Sequence, residues 1–173
     1  TSVQLFGWNL PHGENKATVM ASSRSDDFPT EFNKTVFFPE ISNALSFSFY
    51  VGSNVAAAAL SDPDHPQSVD VPVTITGRIE TLGDRDSFRF QAQAGHKLAV
   101  RVESRSLGYT LDPVLQLADA KGNVLNEVDD TADSRDAAFD FEVPSDGEYQ
   151  ITIHDLHGHG GFRCIYRLTV EVI

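Results

Sequence analysis

Two groups of carboxylates have residue types and spacing that suit the binding of a metal ion. Asp84 and Asp86 flank one turn, and a second group lies within one short stretch and comprises Asp129, Asp130, Asp133 and Asp136. Clustered carboxylate oxygens are the hard ligands that Ca²⁺ prefers. Neither group contains the central glycine and terminal glutamate of an EF-hand loop, and Asp is also an ordinary turn residue that accepts backbone hydrogen bonds. Calcium binding and turn formation are both open interpretations.

Three histidines form a second candidate metal site. His154, His157 and His159 fall within six residues together with Asp155, and imidazole nitrogens are ligands for zinc and nickel. In a strand that buries Ile153, His154 points away from the core, while the other two histidines fall in a Gly-rich hairpin. A solvated turn is the alternative interpretation. The chain has no His-Glu-x-x-His motif that would indicate a metalloprotease.

Nucleophilic chemistry has little support in this sequence. Cys164 is the single cysteine, so no intrachain disulfide can form, and it shares the apolar parity of Tyr166 and Leu168, which predicts a buried thiol. The chain contains neither a Gly-x-Ser-x-Gly elbow nor a phosphate-binding glycine-rich loop. We therefore expect no enzymatic activity.

Aromatic side chains are the remaining candidates for a binding surface. Tyr109 lies beside Gly108 in a turn, where its ring could stack on a sugar or a peptide. The other candidates are Trp8, Phe28, Phe32, Phe37 and Phe38. Core packing is the alternative for all of them, and the sequence does not identify the ligand.

The composition excludes some classes of partner. A formal net charge of −12 and a pI near 4.7 argue against nucleic acid, because nucleic-acid binders concentrate Lys and Arg on their surface. No apolar run approaches the roughly 20 residues of a membrane-spanning helix, so we expect no membrane insertion. The first residue is Thr1 and no secretory signal pattern follows it, which suggests a piece of a longer protein.

The elements that must position these residues are short strands. From residue 71 onward, apolar residues repeat at every second position in about eight segments, which turn residues separate. Eight strands with one apolar face each are best buried as two antiparallel sheets packed face to face. The predicted fold is all-β, an antiparallel, jelly-roll-like β-sandwich with a smaller N-terminal β unit.

The stretch from 53 to 69 reads as a linker. Pro63 and Pro66 each remove a backbone donor, and the alanines at 56–59 are compatible with one helical turn. We therefore predict a small β unit, or the tail of a preceding domain, with its linker over residues 1–64, and the sandwich over 65–173. About 60 residues give only a marginal core.

Seven sequence fragments occur in a characteristic order along the predicted sandwich. They are Gly-Asp-x-Asp-x-Phe-x-Phe (83–90), Ala-Gly-x-x-Leu (94–98), Leu-Asp-Pro-x-Leu-x-Leu (111–117), Gly-Asn (122–123), the acidic pair 129–130, Pro-x-Asp-Gly-x-Tyr (144–149) and Tyr-x-Leu (166–168). In this order they resemble the bacterial pre-peptidase C-terminal domain, over about residues 71–172. Residues 1–60 resemble an immunoglobulin-like, transcription-factor-type β unit through the Gly-x-Asn-Leu motif at 7–10.

The resemblance implies a function. It implies a non-catalytic accessory module of a secreted or cell-surface bacterial protein that binds or spaces other domains, an extracellular protein or a polysaccharide. Related collagen-binding modules use carboxylates near the first turn for calcium, which implies that role for Asp84 and Asp86. A purely structural spacer is the alternative function, and a hydrolase is a third.

Overall fold

The computed structural model describes residues 53–58 and 62–173, and the backbone of four strands within residues 2–50. Among these residues none is helical, and none belongs to a helix long and apolar enough to cross a membrane. The Gly-x-Asn-Leu motif at 7–10 and most of the N-terminal aromatic candidates lie outside the described residues. Phe32 lies in a described strand, but its side chain is not described.

Fourteen strands make up the described structure. They are β1 (Ser2–Gln4), β2 (Lys16–Thr18), β3 (Glu31–Val36), β4 (Leu45–Tyr50), β5 (Asn54–Ala56), β6 (Gln67–Ser68), β7 (Val73–Arg78), β8 (Arg85–Ala92), β9 (Lys97–Glu103), β10 (Pro113–Asp119), β11 (Val124–Val128), β12 (Ala138–Glu142), β13 (Gly147–Asp155) and β14 (Ile165–Val172). β1 pairs with β2 and β3 pairs with β4, each pair antiparallel. The period-two segments predicted from residue 71 onward correspond to β7–β14.

Ten of the strands form a sandwich of two five-stranded sheets. The first sheet has the order β11-β10-β13-β8-β6, and the second has the order β12-β9-β14-β7-β5. The predicted all-β sandwich is therefore confirmed, and its eight predicted strands are antiparallel wherever they pair with one another. The sheets are mixed rather than purely antiparallel, because β5 and β6 join β7 and β8 in parallel at one edge.

The chain crosses between the sheets at almost every connection from β5 onward. Among β5–β14, only β10 and β11 follow one another within a sheet, as an antiparallel hairpin. As a result, the loops after β7, β9 and β13 lie at the same end of the sandwich, although up to about 80 residues of sequence separate them. The crossing pattern is what brings the candidate site residues together.

The core lies between the two sheets. Leu98 and Val100 of β9 and Ile151 and Ile153 of β13 are fully buried. Ala99 and Thr152, which lie between them along each strand, are also buried, although strand alternation turns them to the outer face of their sheets. Burying an aliphatic side chain of this size stabilises the fold by about 1.5–3 kcal/mol. The apolar parity seen in the sequence is therefore the core face of each sheet.

One polar pair lies inside this core. Tyr166 of β14 is fully buried, and its hydroxyl donates a hydrogen bond of 2.5 Å to Oδ2 of Asp86 in β8, on the opposite sheet. Gly77 lies opposite Tyr166 in the register of β7 and β14. A Cβ atom at residue 77 would lie only 2.2 Å from the tyrosine hydroxyl oxygen, so the ring requires glycine there.

The described chain divides into two compact units, Thr1–Val51 and Gly52–Ile173. The predicted division lay near residue 64, because the prolines and alanines of 53–69 indicated a linker. In the structure two parts of that stretch pair with the sandwich, as β5 and β6. The side chain of Gln67 in β6 also links the edge strands of the two sheets, since its Nε2 donates a hydrogen bond to the Ala56 carbonyl of β5 at 3.1 Å.

Tyr166 should resist ionisation while the protein is folded. Burial, and then the negative charge of Asp86, raise its pKa well above the ordinary value. A group with a raised folded pKa stabilises the fold fully below its unfolded pKa of about 10, and this contribution is lost as the pH rises toward the folded value. We expect ultraviolet titration of tyrosinate to show that Tyr166 ionises only with unfolding. Y166F should abolish that late step and lower the free energy of unfolding by about 1–3 kcal/mol.

Y109F is the matched control for this titration. Tyr109 is partly exposed, and its loss should leave the late step unchanged. A late step that persists in Y166F would contradict the assignment.

Candidate functional site

Three loops meet at one end of the sandwich, which we call the loop end: residues 79–84, 104–112 and 156–164. The third loop lies between the other two. Gly83 N–H donates to the Gly158 carbonyl at 2.9 Å, and Thr110 N–H donates to the Arg163 carbonyl at 3.1 Å. Gly160 of the third loop lies against Thr81 of the first loop. A Cβ atom at residue 160 would lie 2.0 Å from the Thr81 carbonyl oxygen, so this close approach requires glycine. The backbones of the three loops form one hydrogen-bonded surface.

Asp155 anchors the loop end from inside. Its side chain is only 2% exposed, and its carboxylate accepts backbone hydrogen bonds from Asp112 (3.0 Å), His157 (3.0 Å) and His159 (2.9 Å). Burial alone would raise the pKa of Asp155, but these backbone N–H groups, together with nearby His159, outweigh it and lower the pKa. Asp155 is therefore a carboxylate at neutral pH and ties two of the three loops together.

Asp136 has a similar role in the loop after β9. It is buried, and it accepts hydrogen bonds from the backbone N–H groups of Ser104, Arg105 and Ser106 at 2.8–3.0 Å. The other members of the predicted acidic stretch, Asp129, Asp130 and Asp133, are exposed. Asp136 therefore serves as a turn carboxylate of the kind that the sequence left open as the alternative to calcium.

Asp84 and Asp86, the other predicted calcium pair, are engaged within the protein. Asp84 accepts hydrogen bonds from the backbone N–H groups of Glu80 (2.7 Å) and Arg85 (2.9 Å), and Asp86 accepts the Tyr166 hydroxyl. Within residues 53–58 and 62–173, no three His, Cys, Asp or Glu side chains are grouped so that they could hold a metal ion. These described residues do not complete a calcium site, and calcium binding stays a prediction from the resemblance.

The three candidate histidines occupy two places in the structure, one on a strand and two in the loop that follows it. His154 is half-buried on the outer face of the first sheet, opposite Arg85 in the register, and burial lowers its pKa. Its Nδ1 atom is buried without a hydrogen-bond partner. His157 and His159 are exposed in the loop after β13, with ring centres 5.9 Å apart. The structure thus brings together His157 and His159 next to Asp155, and places His154 on the strand before them.

The loop end exposes apolar side chains. Leu82 is 79% exposed and Phe162 is 73% exposed, and Leu107, Tyr109 and Leu156 are exposed to a lesser degree. All five come from the three joined loops, and Tyr109, the aromatic candidate from the sequence, is one of them. Leu82 and Phe162 were not among the candidates predicted from the sequence. The sequence feature that could have identified them is that each is an apolar residue in a polar, glycine-containing turn, outside the period-two pattern of the strands.

The described residues offer little support for catalysis. Cys164 is buried, as predicted, and its sulfur lies 3.9 Å from the Thr110 hydroxyl. A cavity of about 220 Å³ lies at the other end of the sandwich. Its polar lining side chains are Gln91, Gln93 and His96, with no hydroxyl or thiol among the lining residues. A hydrolase would need a base within reach of such a nucleophile.

The fold and the loop end define a β-sandwich module whose loop carboxylates bind its own backbone. Residues 84–155 match the family model of the bacterial pre-peptidase C-terminal domain, so the family resemblance seen in the sequence motifs is confirmed. That family is a non-catalytic domain family, found within larger proteins and in secreted proteins.

Solved structures of similar shape come from two kinds of protein. The pre-peptidase C-terminal domain of a collagenase from Bacillus anthracis superposes with a TM-score of 0.48 and 17% identity, over 64% of this chain and 99% of that one. A periplasmic inhibitor of g-type lysozyme from Aeromonas hydrophila gives 0.47 and 13%, over 70% and 100%. The corresponding inhibitor from Salmonella Typhimurium gives 0.43 and 16%, over 62% and 98%.

All three TM-scores are below 0.5. None of the curated proteins compared with the chain matches it.

Replacing Asp155 should loosen the loop end. D155N removes the charge that three backbone N–H groups share, and we expect the free energy of unfolding to fall by about 2–4 kcal/mol at neutral pH. Because the folded pKa is lowered, this stabilisation is present above the unfolded pKa of about 3.9 and is lost as the pH falls through the folded value. Urea unfolding of wild type and D155N should therefore converge in acid.

D146N is the control, because Asp146 accepts a single backbone hydrogen bond, from Ala94, in an exposed turn. It should cost about 1 kcal/mol or less. Equal losses in the two variants would contradict the anchoring role of Asp155.

Proposed function

We propose that this chain is a non-catalytic binding module of an exported bacterial protein, and that it contacts its partner through the loop end. The observation that carries the proposal is that three loops joined by backbone hydrogen bonds expose five apolar side chains, those of Leu82, Leu107, Tyr109, Leu156 and Phe162. Exposed apolar side chains grouped at one place are typical of interaction sites, whereas single ones are common on any surface.

The rigidity of the loops supports binding. The backbones of the three loops are joined to one another, and Asp155 and Asp136 hold them from below. A surface that is already ordered loses little conformational entropy when a partner binds. Phe162 and Leu82, the two most exposed large apolar side chains of the described residues, are then the anchor residues of the surface.

The family supports a location and a class of partner. Pre-peptidase C-terminal domains occur in secreted proteins and as parts of larger proteins, which supports a secreted or cell-surface location for this chain. Its partner is then an extracellular protein, a polysaccharide or another domain of the parent protein. The loop end carries leucines and aromatic rings, which pack on apolar protein surfaces and stack on the faces of sugar rings.

A depletion assay tests the binding function. The full chain would be mixed with peptidoglycan sacculi, chitin or gelatin beads, and the protein left in solution would be measured. We expect at least one of these probes to deplete the wild type, and the L82S/F162S variant to bind about tenfold more weakly or worse, because two exposed apolar anchors are lost.

V124S/L125S is the matched control for this assay, because Val124 and Leu125 are exposed apolar residues of β11, outside the loop end. It should bind as the wild type does. Absence of depletion by every probe, or equal losses in both double variants, would reject the loop end as a binding surface and favour the spacer function.

The calcium prediction has its own test. Thermal unfolding would be followed with millimolar calcium and with chelator, for wild type and D84N. A ligand that binds only the folded state raises the melting temperature. A calcium-dependent rise that D84N removes would support a site at Asp84 and Asp86, while equal melting temperatures with calcium and chelator would refute it.

A further inference from the structure

The turn after β13 presents two imidazoles side by side. Asp155 Oδ1 accepts the backbone N–H groups of both His157 and His159. Gly158, between them, has a φ of 72°, a left-handed conformation that glycine adopts without strain. The turn therefore wraps around one carboxylate oxygen, and both histidine side chains leave from it into solvent.

The spacing of the two rings suits a shared metal ion. Their centres lie 5.9 Å apart and their planes meet at 62°. Metal–nitrogen distances of about 2.0–2.1 Å place two imidazoles bound to one ion with their centres roughly 5–6 Å apart. The observed separation falls within that range, and both rings are accessible to an ion from solvent.

Asp155 also orients one of the rings. Its Oδ1 atom lies 3.4 Å from His159 Nδ1, which leaves His159 Nε2 on the far side of the ring, toward solvent. A carboxylate next to one imidazole nitrogen is the usual arrangement behind a histidine that binds a metal through the other nitrogen. The carboxylate also contributes negative charge close to the rings.

We propose that His157 and His159 form an open site for a divalent transition-metal ion of the copper, nickel and zinc group, with Asp155 as the positioning residue. Imidazole nitrogen suits these ions better than Ca²⁺ or Mg²⁺, which prefer oxygen. No third protein ligand is grouped with the pair among residues 53–58 and 62–173. Water or a partner molecule completes the coordination sphere. This site goes beyond the proposed binding function and does not depend on it.

Copper binding to the tag-free full chain tests the proposal. Cu²⁺ would be titrated against a competing chelator, and electron paramagnetic resonance would report the nitrogen ligands. We expect one site with nitrogen hyperfine coupling. H157N and H159N should each weaken Cu²⁺ binding about tenfold or more. D155N, which keeps both imidazoles but loosens the turn that carries them, should weaken it by about tenfold.

H96N is the control, because His96 is exposed at the opposite end of the sandwich, and it should bind Cu²⁺ as the wild type does. Circular dichroism would confirm that each variant is folded. Unchanged affinity in the H157N/H159N double variant, or an equal loss in H96N, would overturn the proposal. The polymer depletion assay, run in chelator, tests the binding function separately.

Discussion

The buried carboxylate of Asp155 is the interaction on which the loop end depends. It stands where β13 leaves the core, and it replaces water for three backbone N–H groups on two different loops. Buried backbone donors without partners would cost about 1–3 kcal/mol each. The carboxylate therefore allows loops with no regular secondary structure to hold a defined shape at the end of a sandwich.

The same principle explains why this acidic chain is not rich in grouped metal ligands in its described part. Asp84, Asp136 and Asp155 each accept at least two hydrogen bonds from backbone N–H groups. A carboxylate used in this way stabilises a turn and is less available to an ion. The loop end consequently offers a partner its apolar side chains and its imidazoles, and keeps these carboxylates beneath them.

Much of the fold could be predicted from the sequence. The period-two apolar pattern located β7–β14 and their core faces, because alternation in a strand directly reports which face is buried. The pairing of β5 and β6 was not predicted, since a proline-rich stretch carries no strand pattern and its pairing comes from tertiary contacts. The buried partner of Tyr166 was also missed. Asp86 lies about 80 positions away in sequence, and an aspartate beside a turn gives no sign that it faces the core.

Only part of the candidate site could be predicted from the sequence. His157, His159 and Tyr109 were recognised by residue type, but whether they share a surface depends on the crossing connections of the sandwich, which local patterns do not report. Leu82 and Phe162 were not predicted, because single apolar residues are common in loops and do not by themselves indicate a binding surface. In the sequence, Asp155 was noted only as a neighbour of the histidines. Its role as the anchor of the loop end is shown by its burial and by its three backbone hydrogen-bond partners.

Amide hydrogen exchange is the most direct test of that role. If Asp155 organises the loop end, the amides of Asp112, His157 and His159 should be protected in the wild type and should exchange much faster in D155N. Amides of the central strand β14 should keep their protection in both. Fast exchange of the three loop amides in the wild type, or unchanged protection in D155N, would contradict the account.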